Sequence, residues 1–166
     1  MQPQFNQPAM ARYSDRPLPS YRHLPFQNAH PFLDEGGHCY GEKLSPPESF
    51  TPENWQNCVD YLYCIDLFNY GFWWEAHERL KQICFAAGRE SELGQFLQGL
   101  IQVAAALLKH FMGEDRGAKT LADLGLKNLQ ISEGFYLGIE ISTLVVQVEN
   151  CMRSRGAVYP QIELIK

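Results

Sequence analysis

Apolar positions recur at helical spacing through most of this chain, and long alternating runs are missing. Trp55, Val59, Leu62 and Ile65 lie three or four residues apart, the spacing of one helix face. Thr51 is a natural N-cap, Pro52 suits the first helical position and Glu53 complements the helix dipole. A first helix is therefore predicted from there to the Asn69-Tyr70-Gly71 turn. Trp73, Ala76, Leu80, Ile83, Cys84 and Ala87 make the stripe of a second helix over 72–87, closed by Gly88. A third covers 91–112, with Leu93, Leu97, Leu100, Ile101, Ala104, Leu108 and Phe111 inward, ending at Gly113. A fourth follows over 115–130, capped by Glu114 or Asp115, with Ala118, Leu121, Ala122, Leu126 and Leu129 inward. Residues 138–141 look extended. Ser142 then caps a fifth helix carrying Leu144, Val145, Val148 and Met152, and residues 159–164 alternate like a short edge segment.

Connections of a few residues imply antiparallel neighbours. The fold class is all-α, a single compact bundle of about five helices. The bundle domain takes residues 49–166. Residues 1–48 form a separate arm in which Pro3, Pro8, Pro17, Pro19, Pro25, Pro31, Pro46 and Pro47 oppose helix formation. The first dozen residues, rich in Gln, Asn and Pro, are expected to be disordered. Tyr21, Phe26, Phe32 and Tyr40 are too many rings for a disordered tail. They predict an irregular arm lying on the bundle with those rings buried.

Composition narrows the function classes. The 166 residues are 45% hydrophobic with a net charge of -5, so nucleic acid is not the expected partner. The N-terminus lacks the apolar core of a signal peptide. The charge-free stretch from Leu93 to Leu108 contains three glutamines and is short for a membrane span of about 20 residues. No membrane association is expected. The five cysteines include no C-x-x-C pair, and Cys58 and Cys64 fall inside an apolar pattern. Neither a disulfide framework nor a zinc knuckle is indicated, and a cytoplasmic location fits.

The chemistry concentrates in Phe72-Trp73-Trp74-Glu75-Ala76-His77-Glu78 and in the run Phe96 to Ala106, which keeps Gln98 and Gln102 one turn apart beside Gly99. Polar groups on apolar helices need partners, so the two segments are expected to face each other. Trp74, His77, Glu78, Gln98 and Gln102 are the candidate ligand-binding residues. One tryptophan belongs in the core and the other caps the pocket or an interface. A metal site built from His30, His38, His77 and Glu78 is the sharpest alternative, with a divalent ion as cofactor. Against it, Lys81 stands where H-E-x-x-H needs histidine, and the two Glu-x-x-His repeats of a di-iron bundle are absent. The bland reading bonds His77 to Gln98 or Gln102 and Glu78 to Lys81. Glu75 and Glu78 share a face and could act as paired carboxylates, but Glu75 with Arg79 reads more simply as an i,i+4 surface pair. The glutamines could equally pair across an interface between two copies of the chain. No nucleophile stands out in the sequence, and no glycine-rich phosphate loop occurs.

Three blocks occur in order: Asp66 to Glu78, Phe96 to Ala106, and Gly113-x-x-x-Gly117-Ala118. Together they resemble the bacterial and archaeal family catalogued as domain of unknown function 309, over roughly residues 55–130. The arm segments Leu18 to Arg22, Ala29-His30-Pro31 and Gly37 to Gly41 are similar to an N-terminal extension of some members. The resemblance implies a compact helical bundle and no particular activity. Members commonly carry glutamate where this chain has Lys81, tryptophan where it has Cys84, and histidine around Leu107 or Leu108. A family site that needs those groups is altered in this chain. The leading expectation is a binding or interaction module taking a small ligand or a protein partner. The alternative is a metal-assisted hydrolase using His77, Glu78 and the arm histidines.

Overall fold

The computed structural model describes residues 11–47, 49–154 and 158–166. The expected disorder of the first dozen residues falls almost wholly outside them. Five helices follow one another: α1 (Val59–Asn69), α2 (Trp73–Ala87), α3 (Glu92–Phe111), α4 (Asp115–Leu129) and α5 (Ile141–Arg153). A two-stranded antiparallel hairpin, β1 (Phe135–Tyr136) and β2 (Ile139–Glu140), separates α4 from α5. The all-α bundle is as the periodicity predicts.

Helix α3 lies between α2 and α4 and is buried on nearly every face, which explains its lack of charge. Its start is set by Ser91, whose hydroxyl accepts from the Gly94 amide at 3.0 Å. The α3–α4 seam is made by glycines. A Cβ on Gly99 would stand 2.9 Å from the Gly125 carbonyl oxygen, and one on Gly125 would stand 2.9 Å from Val103 Cγ2. The two backbones therefore pass at a distance that only glycine permits.

Two expectations about helix starts are corrected. Helix α1 begins at Val59, not near Thr51. The intervening residues form turns and one 3-10 turn, Trp55–Asn57. Asn54 Oδ1 accepts from the Thr51 amide at 2.7 Å, so the polar side chain stabilises a local turn in competition with helix. The burial of α1 also differs from the predicted stripe. Val59 is exposed and Leu62 half-buried, whereas Tyr61, Tyr63, Cys64, Ile65, Leu67 and Phe68 are buried. Helix α5 starts at Ile141, and Thr143 donates to the Glu140 carboxylate at 2.8 Å. Ser142 is not its cap.

Buried polar side chains tie the C-terminal tail and the hairpin to α1. Asn69 mimics a strand edge toward the tail: its Nδ2 donates to Ile162 O at 2.8 Å and its Oδ1 accepts from Ile162 N at 2.7 Å. The tail, expected to alternate like a short edge segment, forms no strand at this contact. Tyr61 donates to Leu137 O at 2.8 Å, fixing the hairpin turn. Leu137 and Gly138 both have positive φ, 50° and 77°, the geometry of a two-residue turn between twisted strands.

Candidate functional site

The arm is tied to α1 and α2 by hydrogen bonds. Asp66, 1% exposed, accepts from the Tyr13 amide at 2.7 Å, the Ser14 amide at 3.0 Å and the Ser14 hydroxyl at 2.7 Å, and pairs with Arg12 at 3.3 Å. Arg12 also donates to the Arg16 carbonyl. Arg16 pairs with Asp60, and Tyr63 donates to Pro17 O. Further along, Arg22 donates twice to Tyr70 O and lies over the Phe72 ring. Burial pulls its guanidinium below the ordinary value, and the nearby Glu75 carboxylate opposes that effect.

Internal braces shape the arm. Asn28 Oδ1 accepts from Leu24 N, and its Nδ2 donates to Arg22 O. Tyr21 donates to Ala29 O, and the His38 amide donates to the Tyr21 hydroxyl. These bonds hold His38 over the first turn of α2. The expected burial of the arm's rings is only partly realised. Tyr21 and Phe32 are half-buried, but Phe26 and Tyr40 are exposed. Backbone and side-chain hydrogen bonds do much of the holding that the rings were expected to do.

At the arm–α2 junction lies a cavity of about 370 Å³, bounded by Arg16, His38, Cys39, Trp74, Glu75 and Arg79 among others. Glu75 is its central group. It is 4% exposed, and its Oε1 accepts from the His23 amide at 2.7 Å and faces His38 Nε2 at 3.0 Å. Glu75 Oε2 is buried without a hydrogen-bond partner, an arrangement that costs about 1–3 kcal/mol. Glu75 is therefore not the surface partner of Arg79. That guanidinium sits over the Tyr63 ring, 5.1 Å from its centroid. His38, its side chain 5% exposed, bonds on both ring nitrogens, with Nδ1 3.2 Å from Cys39 Sγ. Burial pushes the Cys39 thiol up, and Glu42 adds to the effect by charge and by a side-chain hydrogen bond.

The two tryptophans divide between core and arm. Trp73 is core, against Phe111 and Tyr159. Trp74 lines the cavity and packs on His23, His30 and Phe32 of the arm, at centroid distances of 4.7, 5.2 and 6.0 Å. Glu78 also lines the cavity. Burial raises its carboxyl, but bonds from His77 and Lys81 outweigh that and hold it below the usual glutamate range.

The other predicted residues are not gathered. His77 stands beside Glu78, with Nδ1 3.2 Å from Oε1. Gln98 lies by Cys84, at 4.0 Å, in a separate depression with Phe85 and Arg89. Gln102 accepts from Asn128 Nδ2 at 2.7 Å across the α3–α4 seam. The expected His77–glutamine bond is thus replaced by other partners, Glu78 for His77 and Asn128 for Gln102, and Gly99 serves helix contact rather than a pocket. The metal set is not assembled either. His30 packs on Trp74, His38 bonds Glu75 and His77 bonds Glu78. Among the described residues no three His, Cys, Asp or Glu side chains come together in a way that could hold a metal ion.

Cys39 is the site residue that sequence reasoning missed, and Glu75 is one that it weighed and set aside as a surface partner of Arg79. The available signal was weak: an acid one position ahead of Ala76 in the buried stripe, and an arm carrying four histidines and cysteines within 23–39. Among the described residues no helix is long and apolar enough to cross a membrane. Residues 61–121 match the sequence model of a family described as Domain of unknown function (DUF309), in agreement with the resemblance carried by the three blocks. The match spans most of α1, all of α2 and α3 and the first part of α4, and leaves the arm outside. No curated protein matches the chain.

Proposed function

We propose that the protein is a small-ligand-binding module whose site is the cavity between the arm and α1–α2. The observation that carries this reading is Glu75. A buried carboxylate with one oxygen unpartnered stands at the wall of a cavity large enough for a small molecule. Its chemistry suits a ligand with a hydrogen-bond donor, such as an amine or amide, on an apolar body. Leu18, Phe32 and Trp74 supply the apolar wall. The two basic side chains Arg16 and Arg79 stand among three acidic ones, Glu42, Glu75 and Glu78, so the lining is mixed in charge and a strong anion is not favoured. Of the five residues picked from sequence, Trp74 and Glu78 belong to this site.

The test is a screen of small amides and amines by thermal shift, followed by NMR titration. Ser20 is exposed at the cavity rim, so Ser20→Trp blocks the space without removing a buried contact. Binders should raise the melting temperature of the native chain and lose that effect in Ser20→Trp. Binders that act equally on both proteins, or a screen with none, would overturn the proposal.

A further inference from the structure

We infer that Cys39, His38 and Glu75 form an acyl-transfer site, with Cys39 as nucleophile toward an ester, thioester or activated amide bound in the cavity. The inference rests on the small-ligand reading above and deepens it. Three connected observations carry it. Cys39 is half-buried and lines the cavity. Its Sγ lies 3.2 Å from His38 Nδ1, and His38 Nε2 lies 3.0 Å from Glu75 Oε1. Glu75 is buried and is held by the His23 amide as well.

This is the order nucleophile, base and orienting carboxylate. A Glu75 carboxylate accepts from Nε2–H, which selects the tautomer whose Nδ1 lone pair faces the thiol. The partners are local in sequence on one side and remote on the other: His38 and Cys39 are neighbours, and Glu75 comes from α2. The remaining cysteines Cys58, Cys64, Cys84 and Cys151 are buried in the bundle, so Cys39 is the thiol that an acyl donor in the cavity meets. Arg79 lines the same space and supplies positive charge toward a developing oxyanion.

The steps balance with water as the second reactant. Sγ attacks the acyl carbon as His38 Nδ1 takes the thiol proton. The bond from carbon to the leaving group breaks, and His38 returns the proton to that group. Water then attacks the acyl-Cys39 carbon, giving its proton to His38. The carbon–sulfur bond breaks, the acid leaves, and Sγ recovers the proton. Burial and Glu42 keep the resting sulfur as a thiol, so His38 removes the proton during attack rather than beforehand. Glu75 is a positioning residue.

The experiment uses the full chain and p-nitrophenyl acetate. Nitrophenolate release is followed by absorbance, and acyl protein by intact and peptide mass spectrometry. One acetyl group is expected on Cys39, with turnover, and none at that position in Cys39→Ala. His38→Gly should slow Cys39 acylation by about 100-fold, the lower range for a placed general base, and added imidazole should restore part of the rate. p-Nitrophenyl acetate has no hydrogen-bond donor for the Glu75 carboxylate, so Glu75→Gln should lower kcat for this ester with its KM little changed. Circular dichroism confirms that each variant is folded. Acylation spread over several cysteines, or a Cys39 rate unchanged in His38→Gly, would overturn the inference. If amides still bind the cavity of Cys39→Ala while wild-type Cys39 is not acylated, acyl transfer fails and the binding reading stands. If nothing binds, both fail.

Discussion

The α3–α4 seam and the arm–α2 junction solve the same problem in opposite ways. Each must bring backbone against helix and exclude water. At the α3–α4 seam the helices close by omission: Gly99 and Gly125 have no side chains there, and Gln102 with Asn128 forms the polar contact across it. At the arm–α2 junction the chain closes by specific polar bonds, to Glu75 of α2 and beside it to Asp66 of α1, while Asn28 and Tyr21 brace the arm from within. The first solution leaves little space. The second leaves a cavity of about 370 Å³ and a carboxylate oxygen without a partner. Dry packing tolerates little change in volume, whereas a hydrogen-bonded junction can keep room for a guest. The difference teaches where to look for function: the core seams are committed to stability, and the junction is not.

The sharpest way to break the contrast is to overfill the dry seam. Gly125→Leu forces a side chain into Val103 and the Gly99 carbonyl, and urea denaturation should show a loss of about 3 kcal/mol. A loss near zero would mean that α4 is free to move away. The junction should respond differently. Asp66→Ala strands the Tyr13 and Ser14 donors and Arg12, at a cost of about 2–3 kcal/mol. Limited proteolysis should then cut the arm while far-UV circular dichroism keeps the helical signal. Simultaneous loss of both signals would show that arm and bundle unfold as one unit.

Smaller changes probe the cavity itself. Glu75→Gln keeps the shape and removes the charge, and amide or amine binders should weaken about tenfold, roughly 1.4 kcal/mol, in calorimetry. Glu42→Gln removes a carboxylate that, after burial, raises the Cys39 thiol. Alkylation of Cys39 by iodoacetamide should become faster, read by peptide mass spectrometry; a slower reaction would contradict the assigned partner. The smallest effect belongs to the surface. Lys81→Ala removes a pair 3.1 Å from Glu78 and should change stability by no more than about 1 kcal/mol. The Glu78 carboxyl sits below its ordinary range. Its contribution is therefore present above the unfolded-state value and is lost as pH falls through the lower folded value. In Lys81→Ala that acid-side loss should begin at higher pH.

Much of the fold was legible in the sequence. Helices α2 to α4 follow from apolar spacing because a helix face is a local property, set by residues three and four apart. The start of α1 was less legible, since Asn54 offers its amide partner a turn at no periodic signal. The site was legible only in part. Trp74 and Glu78 stand out by residue type beside the helix start. Glu75 looked like half of a surface pair because Arg79 is one helical turn away, and nothing local reveals that residues 23 and 38 cover it.

The sequence by itself determined the all-α class, the order of the helices and the family resemblance, since periodicity, caps and local motifs are written in consecutive residues. The tertiary structure alone decided which polar groups meet. Gln102 found Asn128, Asn69 found Ile162, and Glu75 found His23 and His38. Those partners lie far apart along the chain, and only the packed path of the backbone brings a donor within about 3 Å of its acceptor, the range in which such a bond forms.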